Sequence, residues 1–260
     1  MPRLSSFDGV ELEYRVIGDG PPAVLLHGFA ADARTNWEIP GVVEALVGAG
    51  RQTITIDARG HGASEKPHDS PAYADGALIR DVQHLFDRLG RPAYDVVGYS
   101  MGSVVASRLV TRDRRVRSLV LGGVGAGLLG QRPPRLGSAI ADALLAEDPA
   151  TVTGTVPRAF RRFADSTGAD RAALAAIQSA PRFVGEADVE SIAVPTLVLT
   201  GDRDTMAGDP GALAERIPGA RALVVHGDHL SAVRDPAFIG SILEFLGDVD
   251  GRAAERSEAG

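Results

Sequence analysis

The spacing of hydrophobic and polar residues changes rhythm several times along the chain, and each rhythm predicts an element. Residues 10–17 alternate, with Leu12, Tyr14 and Val16 against Glu11, Glu13 and Arg15. That is the period of a half-exposed antiparallel strand. A Gly/Pro turn at 18–22 follows, and then residues 23–26 are apolar without interruption, as in a parallel strand covered on both faces. Comparable strand patterns recur at 53–57, 94–97, 118–121, 196–200 and 222–225. Helical spacing lies between them. It covers 36–47, where Pro40-Gly41 is expected to break the first turn, and 72–89, where Leu78, Val82, Leu85, Phe86 and Leu89 share one stripe. It returns at 104–110 and at 237–246, packed through Phe238, Ile239, Ile242, Leu243, Phe245 and Leu246.

Strands alternating with helices predict an α/β fold with a mostly parallel sheet flanked by helices. Between Gly122 and Val194 the alternation stops, and helix-like pieces appear near 140–147, 158–164 and 171–179. The expected organisation is a core of residues 1–122 and 195–247, a small helical lid inserted at 123–194, and a polar, frayed C-terminal tail at 248–260. No internal repeat or low-complexity tract interrupts it.

Composition narrows the class of function. A chain of 260 residues with 44% hydrophobic and 23% charged residues can bury a substantial core and matches ordinary globular proteins. No apolar run reaches the ~20 residues that span a bilayer, and the first residues lack the apolar core of a signal peptide, so a cytoplasmic location is expected. Zero cysteines exclude disulfides, thiolate chemistry and Cys-based zinc sites. A net charge of −7 argues against nucleic acid or an anionic membrane as partner. No pattern sets an oligomeric state.

The candidate chemistry sits just beyond the strands. Gly98-Tyr99-Ser100-Met101-Gly102 has the Gly-x-Ser-x-Gly spacing of a serine carried on a sharp strand-to-helix turn. A helix beginning at Met101 would aim free backbone N–H groups beside the serine. With 31 glycines in the chain, an ordinary glycine-bearing loop gives the same spacing, so this motif alone decides little. Three other segments share its placement: His27-Gly28-Phe29 after strand 23–26, Asp204 after 196–200, and His229 after 222–225. In parallel α/β sheets, ligands bind at the carboxyl ends of the strands.

Together with Asp57-Ala58-Arg59-Gly60-His61-Gly62-Ala63-Ser64, these motifs resemble those of the α/β-hydrolase superfamily over nearly the whole chain, in the order Ser, acid, His. The resemblance implies acyl transfer. Ser100 would be the nucleophile, His229 its general base, and Asp204 the acid that orients the imidazole. Backbone N–H groups of Phe29 and Met101 would form the oxyanion hole, and His27, Gly28 and Tyr99 would line or brace the pocket. No cofactor and no metal are implied. Asp202 and Asp228 are neighbours that could be mistaken for the acid. An acid after strand 118–121, used by some relatives, is closed off because residues 122–127 contain no carboxylate.

A serine at the elbow argues against dehalogenase and epoxide hydrolase chemistry, which in this family use Asp there. It leaves carboxylesterase, lactonase and thioesterase activities for a small to medium apolar substrate. Carbon–carbon bond hydrolases, cofactor-free perhydrolases, a lyase and a non-catalytic ligand-binding relative are the alternatives.

Other signals have plainer readings. Residues 125–130 match Gly-x-Gly-x-x-Gly, but Pro133-Pro134 soon follow, which disfavours a pyrophosphate-binding helix there. His226-Gly227-Asp228-His229 lacks the leading histidine of a binuclear metal motif, and His226 is expected to pack at the strand end. Asp57, Arg59 and His61 are expected to be structural, His27 to brace its loop, His68 and His84 to lie on the surface, and Trp37 to pack a helix on the sheet. Arg132, Arg135, Arg158, Arg161, Arg162, Arg171 and Arg182 are read as a solvated helical face rather than as steering groups for an acidic substrate.

Overall fold

A computed structural model describes residues 2–130, 135–180 and 189–258. Two short antiparallel strands, β1 (Arg3–Ser5) and β2 (Glu11–Ile17), lead into β3 (Pro22–Leu26), α1 (Val42–Gly48), β4 (Gln52–Ile56), α2 (Ala77–Leu89), β5 (Tyr94–Tyr99), α3 (Met101–Leu109) and β6 (Val116–Gly122). Three helices follow, α4 (Leu136–Leu145), α5 (Thr155–Thr167) and α6 (Arg171–Ser179). The chain then rejoins the sheet as β7 (Thr196–Gly201), α7 (Pro210–Arg216), β8 (Arg221–Val225) and α8 (Pro236–Glu258). The described strands form one sheet in the order β1-β2-β4-β3-β5-β6-β7-β8. β3 to β8 run parallel.

The uninterrupted apolar strands follow from burial on two faces. Alternate residues point to opposite sides of the sheet. Val24, Leu26, Ile54, Val96, Leu119 and Leu121 meet α2, α3 and α7 through Val82, Leu85, Phe86, Leu109 and Leu213. Leu25, Val97, Val120, Leu197 and Leu199 meet α1 and α8 through Leu46, Phe238, Ile242 and Phe245. Each fully buried side chain of this kind stabilises the fold by about 1.5–3 kcal/mol. Strand order reverses around β3, which pairs with β4 on one side and β5 on the other, with Leu26 opposite Gly98. The crevice at this reversal is where a parallel sheet holds ligand.

The inserted helices share a core of their own with the loop after β3. Ile140, Leu144, Phe160 and Leu174 cluster with Phe29 and Ala30. Among the described arginines here, Arg158, Arg161 and Arg171 have partners within the insert. Buried Arg161 donates to the carbonyls of Ala143 and Ala146 at the end of α4 and pairs with Asp165, complementing that helix terminus. Arg158 donates to Val152, and Arg171 lies 3.7 Å from Asp165. Arg135 and Arg162 are exposed; Arg132 and Arg182 lie outside the described residues.

Several boundaries differ from the periodic reading. The helix expected at 36–47 is two pieces, a π-type turn at Arg34–Glu38 and then α1, because Gly41 adopts φ +88° between them. α2 starts at Ala77 rather than 72, since Asp75 and Gly76 both have positive φ. α7 was not signalled by a long apolar stripe. It starts from Asp209, whose carboxylate accepts from the Gly211 N–H, with Pro210 in the first turn. The largest correction concerns the tail. α8 continues past Gly247 to Glu258, Val249 is buried, and Asp250 pairs with Arg51 and Arg117. Both arginines also bind the fully buried Asp95, at 2.6 Å each.

Candidate active site

Ser100 follows β5 directly and has φ +50°, ψ −108°, a strained combination for a side-chain-bearing residue. Backbone crowding requires its two glycines. A Cβ on Gly98 would lie 2.6 Å from the Gly102 carbonyl, and one on Gly102 would lie 1.9 Å from the Leu26 carbonyl oxygen. The turn therefore exists only because β3, β5 and α3 touch backbone to backbone.

Three strand ends deliver one hydrogen-bonded chain. His229 Nε2 is 2.8 Å from Ser100 Oγ, and His229 Nδ1 is 2.8 Å from Asp204 Oδ2. Asp204 is buried, with no side-chain exposure, and its Oδ1 accepts from the N–H groups of Met206 and Ala207. An ionised carboxylate only accepts, so His229 must carry its proton on Nδ1, leaving Nε2 as acceptor for the Ser100 hydroxyl. The Tyr99 hydroxyl donates to the His229 carbonyl at 2.8 Å, and burial pushes that phenol well above its ordinary pKa. Asp202 and Asp228 serve elsewhere. Asp202 accepts from the Gly227 N–H and contacts His226, and the Gly227 bond foremost holds its carboxyl below the usual range. Asp228 caps the following turn through Leu230 and Ser231. His226 does not pack at the strand end as expected; its side chain is exposed, between Asp202 and Arg203.

A second feature converges on Ser100 from β3. Ala58 N–H donates to His27 Nε2, so the His27 proton is on Nδ1, where it donates to the Gly28 carbonyl at 2.8 Å. The Gly28 N–H is held by Asn36 Oδ1. In a planar trans peptide, C=O and the following N–H point in opposite directions, so fixing the Gly28 carbonyl also fixes the Phe29 N–H. Neither the Phe29 nor the Met101 N–H has an intramolecular acceptor among the described residues. A Cβ on Gly28 would stand 3.5 Å from the Ser100 Cβ, so this loop lies against the serine.

Around Ser100 opens a cavity of about 240 Å³. Phe29, Phe160, Phe163, Leu230 and Val233 supply apolar wall, and Gly28, Asn36, Tyr99 and His229 also line it. His27 and Met101 are not among its lining residues; both border a separate void of about 20 Å³, and Met101 also packs against the cluster formed by the inserted helices and Phe29.

Buried Arg59 joins Asp8 and Asp81 to the loop after β4, and Asp57 accepts from Ala33 and Ala63, as structural residues should. His68 is exposed as expected but bonds Asp170 at the start of α6; His84 is half-buried. Trp37 is fully buried against the sheet. In the Gly125–Gly130 run the N–H groups of Ala126 and Gly127 donate to Asp209 and Ala207. Gly125 and Gly127 bring the 207–209 loop, next to the amides that hold Asp204, against the turn that follows β6. The sequence reading missed Asn36, because a lone asparagine before a tryptophan carries no distinguishing pattern.

A model of the alpha/beta hydrolase fold family matches residues 21–229, and the chain belongs to that family. Among curated relatives, it is 34% identical over 136 residues to a Bacillus subtilis protein provisionally described as a 2-succinyl-6-hydroxy-2,4-cyclohexadiene-1-carboxylate synthase, over 50% of this chain and 47% of that one. It is 40% identical over 89 residues to epoxide hydrolase B of Mycobacterium tuberculosis, over 34% of this chain and 24% of that one. The chain thus spans less than half the length of these relatives. The enol-lactonase of Burkholderia xenovorans LB400 superposes with a TM-score of 0.72 at 27% identity, over 95% of this chain and 100% of that one.

Proposed function

We propose that this chain is a serine hydrolase that cleaves a carboxylic ester, open or cyclic, or a thioester, of a small to medium, largely apolar substrate. The observation that carries this reading is the unbroken Asp204–His229–Ser100 hydrogen-bonded chain facing the cavity. Ser100 Oγ attacks the carbonyl carbon as its proton passes to His229 Nε2. The carbonyl oxygen becomes an oxyanion beside the unpaired N–H groups of Phe29 and Met101, where each donor contributes ~10²–10³ in rate. Collapse expels the leaving oxygen or sulfur, which takes the proton from His229, and water then repeats the sequence on the acyl-enzyme. Asp204 stabilises the imidazolium without being protonated.

The serine favours this chemistry over epoxide opening, despite the epoxide hydrolase relative, and the lactonase relative points the same way. The helices α4 to α6 act as a lid, with Phe160 and Phe163 of α5 as the apolar wall above Ser100. No helix among the described residues is long and apolar enough to cross a membrane.

Intact-protein mass after exposure to a fluorophosphonate tests the reading. One adduct on the wild type and none on Ser100→Ala is expected. A wild-type protein with native circular dichroism and no adduct would leave a ligand-binding role in place of the enzyme.

A further inference from the structure

The walls of the cavity are almost wholly neutral. Among the described residues that line it, none is an acid, and Arg234 alone carries a permanent charge. Asp204, the nearest catalytic carboxylate, is screened behind His229 with no side-chain exposure. An anion entering the cavity therefore meets no facing negative charge.

Arg234 ends the short turn Ala232–Arg234, five positions after His229, and is exposed. The acids near it in sequence are committed elsewhere. Asp235 accepts from the N–H groups of His226 and Ala237, and Asp228 accepts from Leu230 and Ser231. No described residue pairs with the Arg234 side chain. A guanidinium offers five donors in a planar fork that matches a carboxylate. Placed at the mouth of an otherwise neutral cavity, it has no internal task.

We propose that Arg234 is the seat of a substrate carboxylate, so that the ester this chain cleaves is an anionic one, with an apolar stretch between the scissile carbonyl and the charge. The inference rests on the hydrolase reading and adds the substrate class to it. The apolar stretch lies along Phe29, Phe160 and Phe163 while the carboxylate stays at the rim, where it keeps part of its hydration and avoids the cost of full burial.

Two pairs of esters of matched chain length test this, with acid release followed by pH-stat titration. Methyl pentanoate and monomethyl glutarate differ by a carboxylate on the acyl side; butyl acetate and 4-acetoxybutanoate differ on the alcohol side. For at least one pair, wild-type kcat/KM should favour the anionic member about tenfold, the scale of a partly exposed charge-assisted contact. The preference should reside in KM and fall with added salt. Arg234→Gln should bring that ratio close to one, and Arg234→Lys should retain part of it. The ratio within each variant cancels any general loss of activity. Equal turnover of both members of both pairs by the wild type, or a preference unchanged in Arg234→Gln, overturns the inference alone. No turnover of any of the four also overturns it, and the fluorophosphonate adduct then tells whether the hydrolase reading falls with it.

Discussion

His61 shows how one residue sets a pH window. It is walled off from water, with Nδ1 on the Arg59 carbonyl and Nε2 without a partner among the described residues. Burial, reinforced by the neighbouring His27, pushes its pKa down to about 3 from 6.5. Between those values the unfolded chain binds a proton that the folded chain refuses, so stability rises with pH across that interval and is lost on acidification. Several aspartates held low, including Asp113 beside Arg115, add their own losses only below pH ~4. His61→Asn, which can keep a donor toward the Arg59 carbonyl, should therefore flatten the dependence of Tm on pH between about 4 and 6.5. An unchanged slope in thermal melts would show that another group sets it.

The same scale explains which residues were legible. Ser100, Asp204 and His229 could be picked out because each follows a strand whose apolar run is unmistakable, and the end of a strand is a defined place. Choosing Asp204 over Asp202 and Asp228 needed the family order; the structure separates them by what each carboxylate accepts. His226 and Asn36 were misread or missed because their surroundings are built by residues distant in sequence, which no local pattern records.

At the scale of elements, α8 was underestimated for a physical reason. Gly247-Asp248 looks like a helix end, yet a glycine inside a helix costs only about 1 kcal/mol. Here the contacts of Val249 and Asp250 with the sheet offset it. Asp250→Ala should remove about 1–2 kcal/mol, given that its side chain is partly exposed, and lower Tm by about 2–8 °C for a chain of this size. Glu255→Ala, on the exposed part of the same helix, should leave Tm unchanged. Equal melting of both variants would mean that the last turns of α8 are dispensable. β1 and α7 were not foreseen because three- and seven-residue elements are too short for periodicity to register.

Over the whole molecule, stability is divided between the sheet and the inserted helices. Phe29 and Ala30 belong to the hydrophobic cluster of α4, α5 and α6 rather than to the clusters of the sheet, and Thr167 donates to the Ala30 carbonyl. Opening the inserted helices must therefore loosen the loop that carries the Phe29 N–H. Hydrogen exchange should show amides of α4 to α6 exchanging together and faster than those of β3, β5 and β6, whose residues are buried on both faces. If the inserted helices exchange at the rate of the sheet, the molecule opens as one unit.

The chain leaves the sheet once after β6 and returns once at β7, and this simple routing has an evolutionary consequence. The helices α4 to α6 can be lengthened, shortened or rewritten as a block while the strand ends that hold Ser100, Asp204 and His229 keep their register, provided that Gly125 and Gly127 still meet the 207–209 loop and Val189 and Ile192 still pack in the core of the sheet. On the other side, Phe29 and Ala30 of the loop after β3 are the constraint, because their packing belongs to the block. A lineage that remodels these helices is therefore free over most of their length, but each new design must still accommodate that loop.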